Sequence, residues 1–236
     1  TLGATTDRIF LGGTFTTLST WERRNDLAAL DARTGTLLPW NPAMNSINVN
    51  TIALNHGVVY VGGLFSSVAG QPRACLAGID SITGQATAFN PQADGTVSAI
   101  AAAHDRLYVG GQFTHIGGQA RSYAACLDTA LGNALPWNPG SDDFVDAIAV
   151  AGDRVYVGGL FSQIGGQPRA GVAALDTSGG SATIWDASAD GPVDALAVAD
   201  TAVFVAGDFN YIGGQGRDGI AALSRVTGQA LPWVAK

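Results

Sequence analysis

Lysine, glutamate, methionine and cysteine are almost missing from this chain. Its 236 residues include one Lys (Lys236), one Glu (Glu22), one Met and two Cys. Glu and Lys favour exposed helix faces, so their scarcity argues against a helical surface. Positive charge is also short: 12 Lys and Arg stand against 19 Asp and Glu, a net charge of −7. No basic stripe is available to neutralise phosphates, and no nucleic acid partner is expected. No apolar run approaches the ~20 residues of a membrane span, so membrane insertion is not expected. Neither an n-region nor an h-region follows Thr1, so no signal peptide is expected. A first residue other than Met marks a processed or excised piece, which leaves export open. The three histidines, His56, His104 and His115, have no close metal spacing and read as surface loop residues. There is no Gly-x-Ser-x-Gly and no Asp-x-Asp-x-Asp-Gly loop with its Glu. No cofactor and no resident metal are expected; calcium on an Asp-rich face is the open alternative.

What the chain does have is glycine, 32 residues of it, with 47% hydrophobic residues. Both follow one repeat. Gly12-Gly13-Thr14-Phe15 recurs as Gly62-Gly63-Leu64-Phe65, Gly110-Gly111-Gln112-Phe113, Gly158-Gly159-Leu160-Phe161 and, altered, Ala206-Gly207-Asp208-Phe209. The spacings are 50, 48, 48 and 48 residues. In the fourth copy an apolar run, Val145–Val150, precedes a Gly152-Asp153 turn and a second strand, Arg154–Phe161. Gly165-Gly166-Gln167-Pro168 then connects to a third strand, Gly171–Asp176, and a Ser/Gly turn leads to a fourth ending at Trp185. Short strands with regular turn signals predict an antiparallel all-β fold.

Third strands such as Leu27-Ala28-Ala29-Leu30 are apolar at both parities, so both sheet faces should be buried. Proline before the aromatic, in Pro39-Trp40, Pro136-Trp137 and Pro232-Trp233, marks the fourth strand as an edge. The doubled glycines imply close backbone approach or a bulge. Together these features predict a β-propeller with a repeat of about 48 residues and five blades of four antiparallel strands. The expected blades are 1–44, 45–92, 93–140, 141–188 and 189–236 of one domain. An excerpt from a longer array is the alternative.

The unit VDAIAVAGDRVYVGGLFSQIGGQPRAGVAALD, with its later Trp, resembles the delta-sixty-repeat β-propeller family over essentially the whole chain. The resemblance implies a propeller from bacterial surface or secreted proteins, an extracellular setting and no catalytic residues to carry over. The stretches Ala29–Trp40 and Ala174–Trp185 are also similar to the blade-docking motif of quinoprotein dehydrogenase propellers, which is scaffold.

The polar positions repeat too. Arg73, Arg121, Arg169 and Arg217, with Arg23 or Arg24 in the first copy, follow the second-to-third strand connection. They predict either a ring of staples to Asp94, Asp142 or Asp143, and Asp190 of the neighbouring blade, or a guanidinium ring for an anion. Asp31, Asp80, Asp128 and Asp176 precede turns and read as Asx caps. Cys75 and Cys126 fall on neighbouring third strands, three positions apart, as a disulfide or as buried thiols. Repetition argues against catalysis, which needs unlike groups in unlike roles. Asp146 and Asp194, at equivalent first-strand positions, are the pair a glycoside hydrolase would need.

The copies differ most at Thr17, Ser67, His115, Gln163 and Tyr211, the second residue after the motif Phe, and in the Ser19–Asn25 loop with Trp21. Varied polar and aromatic groups at one repeated position suit ligand recognition. The expected function is a non-enzymatic extracellular interaction or structural module, binding a protein or a glycan at the cell surface. A lectin-like carbohydrate binder and a self-associating subunit are alternatives.

Overall fold

The computed structural model describes residues 1–18 and 22–233. All its regular elements are short β-strands, recurring with the sequence repeat. In the fourth repeat Val145–Ala151 pairs antiparallel with Arg154–Gly159, which pairs with Val172–Asp176. In the fifth, Val193–Val198, Ala202–Gly207 and Ile220–Ser224 do the same. The first repeat uses Leu2–Ala4, Arg8–Gly12 and Leu27–Asp31. The second has longer strands, Asn45–Asn55 and Val58–Val68, followed by Leu76–Asp80. Among the described residues no helix is long and apolar enough to cross a membrane.

The expected fourth strand is not formed as a strand. It is reduced to a single bridge, as at Leu175↔Ala182 and Leu223↔Ala230. After the bridge, the Trp185 side chain turns into the core and its indole N–H donates to Ser224 O in the next repeat, at 2.9 Å. That side chain redirects the segment, so no further ladder bonds form. The Gly165-Gly166 connection is also more ordered than expected. It closes a two-residue hairpin, Gln163–Ile164 with Gln167–Pro168, and both glycines have positive φ (64° and 74°). That turn requires the left-handed region, which glycine enters without steric cost.

Packing divides the chain into two compact units. The first holds residues 1–107, 113–120 and 127–134, and the second holds 108–112, 121–126 and 135–236. The division runs through the third repeat. Each unit contains the same kind of repeat-on-repeat core. In the first, Phe10, Leu27, Ala29 and Trp40 of one repeat pack with Val49, Val59, Val61 and Ala77 of the next. In the second, Tyr156, Val172, Ala174 and Trp185 pack with Val193, Val203, Val205 and Ala221.

The first glycine of each pair exists because of this packing. A Cβ on Gly12 would lie 2.6 Å from Val49 Cγ1, and one on Gly158 would lie 2.8 Å from Val193 Cγ1. The same valine meets Gly62 as Val97 and Gly110 as Val145. The second glycine, as in Gly159, sits over the backbone carbonyl of Phe144, beside a register shift between Val145 and Ala147. Both the close approach and the bulge read from the sequence are present.

Candidate functional site

The variable residues stand at equivalent positions on short hairpins. Thr17, Ser67, His115, Gln163 and Tyr211 each occupy the same strand position, opposite Arg23, Pro72, Ala120, Pro168 and Gly216. Four of them are exposed, and Ser67 is half-buried. Trp21 lies outside the described residues.

In three repeats an aspartate fixes the hairpin. Asp94 accepts the backbone N–H groups of Thr114 and His115 at 2.8 and 2.9 Å. Asp142 does this for Ser162 and Gln163, and Asp190 for Asn210 and Tyr211. The return bond runs from the aspartate N–H to the carbonyl of His115, Gln163 or Tyr211. At Asp94, burial works against the charge, but the His115 and Thr114 N–H groups and the Thr114 hydroxyl outweigh it. Its pKa falls to about 2. The backbone under each variable side chain is thereby held while the side chain points outward. His115 Nδ1 also lies 3.3 Å from Asp94 Oδ2.

These aspartates are the acids expected to staple the arginines, and that pairing is corrected. Arg73 Nη2 donates to Thr87 O, Arg121 to Leu135 O, Arg169 to Thr183 O and Arg217 to Leu231 O, at 2.7 to 3.0 Å. Arg24, not Arg23, is the first-repeat member, donating to Leu38 O. Each reaches a carbonyl fourteen residues onward in its own repeat. The physical reason is the missing fourth strand: the segment leaves a carbonyl without a ladder partner, and the guanidinium fills that place. Arg169 adds a contact to Asp186, 3.6 Å away, again in its own repeat.

The turn aspartates are Asx caps. Asp176 Oδ1 accepts the N–H groups of Ser178 and Gly179, and Oδ2 accepts that of Ser181. The Ser178 hydroxyl and these N–H groups hold its carboxyl at about 2. Asp31, Asp80 and Asp128 are bound in the same way and are also lowered.

No disulfide joins Cys75 and Cys126; both thiols are buried. Cys75 is not on a third strand. It precedes Leu76–Asp80 with φ +59°, outside the strand register assumed from sequence, and burial raises its thiol pKa. His56 and His104 also have positive φ, at turn positions. Asp146 is half-buried and Asp194 exposed. Among the described residues no three His, Cys, Asp or Glu side chains gather where a metal could sit.

One feature had no signal in the sequence. Tyr60 and Tyr108 donate their hydroxyls to the carbonyls of Thr129 and Thr177, each 69 residues onward. The same step from Tyr156 leads to Arg225 O, which already accepts from Arg154 Nη1 at 2.9 Å. The buried Tyr156 hydroxyl has no hydrogen-bond partner. It borders a depression of about 350 Å³ lined by Asp153, Arg154, Asp200 and Arg225.

Comparison with known proteins fits this geometry. A family model described as "Domain of unknown function (DUF5122) beta-propeller" matches residues 105–130. The WD40 β-propeller domain of Doa1 superposes with a TM-score of 0.63 at 13% identity, over 97% of this chain and 66% of that one. The fold is a β-propeller. A computationally designed protein, Ika8, is also similar, with a TM-score of 0.52 at 15% identity over 98% of this chain and 84% of that one. No curated protein matches. This propeller spends its recurring arginines and aspartates on its own backbone, and its non-recurring side chains sit on the hairpins.

Proposed function

We propose that this propeller is a non-enzymatic interaction module of the extracellular surface, related to the delta-sixty-repeat propellers of bacterial secreted proteins. The observation that carries the reading is the set of equivalent hairpins. A backbone held by Asp94, Asp142 or Asp190 presents a different side chain in each repeat: His115, Gln163 or Tyr211. Rigid presentation lowers the ordering cost of binding. The recurring charges are engaged with the framework, and Asp146 and Asp194 are equivalent groups with no assigned difference in role. Both points support binding over catalysis.

Exposed Tyr211 and His115 favour a glycan among the alternatives, because an aromatic face and a ring nitrogen suit stacking and hydrogen bonding to sugars. The test is a glycan and polysaccharide array with the whole chain, with and without calcium. Binding that falls at least tenfold in Tyr211→Ala or His115→Ala is expected. A ligand that is hydrolysed, with activity lost in Asp146→Asn or Asp194→Asn, would overturn the non-enzymatic reading. Selective binding unchanged by both hairpin variants would overturn the choice of site.

A further inference from the structure

We infer that the depression beside Tyr156 binds one neutral sugar unit, and that Arg154 exchanges a backbone carbonyl for the ligand as it does so. The site lies apart from the hairpins and does not depend on the reading given to them. In the fourth repeat the strand Arg154–Gly159 runs from the depression toward the Gln163–Ile164 hairpin, a length of about 20 Å.

The repeats themselves show why this place is unlike its equivalents. Each offers one carbonyl just past the third strand: Ser81, Thr129, Thr177 or Arg225. In the first, Arg8 Nη1 donates to Ser81 O at 2.7 Å, and the aromatic two residues on is Phe10, which has no hydroxyl. In the second, Val58 stands in the arginine's place, and Tyr60 donates to Thr129 O at 2.9 Å. The third carries Arg106 and Tyr108, and the tyrosine reaches the carbonyl, at 3.3 Å. The fourth carries Arg154 and Tyr156, and here the arginine takes it, Nη1 to Arg225 O at 2.9 Å. Tyr156 is fully buried and its hydroxyl is left without a partner. A buried donor without an acceptor is unfavourable. Once Arg154 has another acceptor, Tyr156 can take the carbonyl as Tyr60 does, and that relief favours binding.

The depression is where that other acceptor would sit. Its volume of about 350 Å³ lies in the range of small-molecule sites. Arg225 ties its walls together: Nη2 donates to Ala151 O and Nη1 to Asp200 O, both at 3.3 Å. The two turns that carry Asp153 and Asp200 are thus held by one guanidinium. Asp153, Asp200 and Thr201 are exposed around the opening, and Arg154 and Arg225 are half-buried.

This lining selects the ligand's chemistry. Guanidinium groups only donate and carboxylates only accept. A phosphate or carboxylate would meet Asp153 and Asp200, and an ammonium would meet Arg154 and Arg225. A sugar hydroxyl donates and accepts at once, so a neutral polyol pairs with both kinds of group. Val226, 74% exposed, adds an apolar edge for a C–H face.

The test is saturation-transfer NMR and titration on the whole chain. The probes are the methyl glycosides of glucose, galactose, mannose and N-acetylglucosamine, with inorganic phosphate and ethanolamine as charged comparators. One of the sugars should bind with a millimolar dissociation constant and outcompete both comparators. Arg154→Val copies the second repeat, so it should melt close to wild type and lose the sugar. Tyr156→Phe should bind about fivefold more weakly, the worth of one hydrogen bond, with stability unchanged. Tyr60→Phe should do the opposite, losing stability and keeping the sugar. A near-ultraviolet tyrosine difference signal should accompany binding and be absent in Tyr156→Phe. No binding by any of the sugars would overturn the inference, and so would tighter binding of phosphate or ethanolamine. Sugar binding unchanged in both Arg154→Val and Tyr156→Phe would overturn it as well. Binding lost in Tyr211→Ala but kept in Arg154→Val would end this inference and leave the hairpin site standing. The reverse pattern would support this site and end the hairpin one.

Discussion

The fourth and fifth repeats differ by 48 residues in number and little in pattern, yet one has its sheet face buried and the other has it partly exposed. Gly158 becomes Ala206, Val172 becomes Ile220, Asp176 becomes Ser224, and Trp185 keeps its identity as Trp233. Trp185 is fully buried and Trp233 is 39% exposed. The lesson concerns glycine first. At Gly158 the following repeat leaves no room for a Cβ, whereas Ala206 is half-buried and lines an open groove. The turn is looser as well. Ser224 Oγ accepts the Val226 and Thr227 N–H groups at 3.3 and 3.2 Å, against 2.9 and 2.7 Å at Asp176.

The largest break in this comparison should come from the tryptophans. Trp185→Ala removes a buried ring and an indole bond to Ser224 O, and should cost about 3–5 kcal/mol. Trp233→Ala should cost less than half as much; urea denaturation midpoints measure both. Next is the glycine. Gly158→Ala forces a methyl against Val193 and should cost about 1–3 kcal/mol. Ala206→Gly should lose only about 0.5–1 kcal/mol, the ordinary strand penalty.

The caps come third. Asp176 has a folded pKa of about 2, below the unfolded value. Its contribution is present above about pH 4 and is lost as pH falls toward 2. Asp176→Asn should cost about 1 kcal/mol at neutral pH after screening at this exposed site, and should flatten the acid limb of stability. Ser224→Asp should add a titrating cap of the same sign to the fifth repeat. Melting temperatures between pH 2 and 7 check both. The smallest effect separates two tyrosines. Tyr60→Phe loses a bond to Thr129 O and should cost about 1 kcal/mol. Tyr156→Phe, which loses none, should be near neutral.

Much of this was legible beforehand. The doubled glycines, the both-face apolar third strands and the Leu-Asp turns carry local chemistry, and local chemistry is written in residue type. What escaped was backbone. The arginines keep a constant fourteen-residue distance to their acceptors, but an acceptor carbonyl has no signature in sequence, so nearby aspartates drew the pairing instead. The fourth strand failed for a related reason: Trp185 is committed to a carbonyl in the next repeat, which no periodicity reveals. Cys75 was misplaced by one residue, across the boundary of a strand that begins at Leu76. At the hairpins the positions were readable from their variation, but the aspartates 21 residues upstream that fix them were assigned to the arginines.

The measurement that bears most directly on the account is amide hydrogen exchange on the whole chain. The more exposed sheet of the fifth repeat predicts that Val193–Val198 exchanges faster than Val145–Ala151. Equal protection of the two strands would contradict the account.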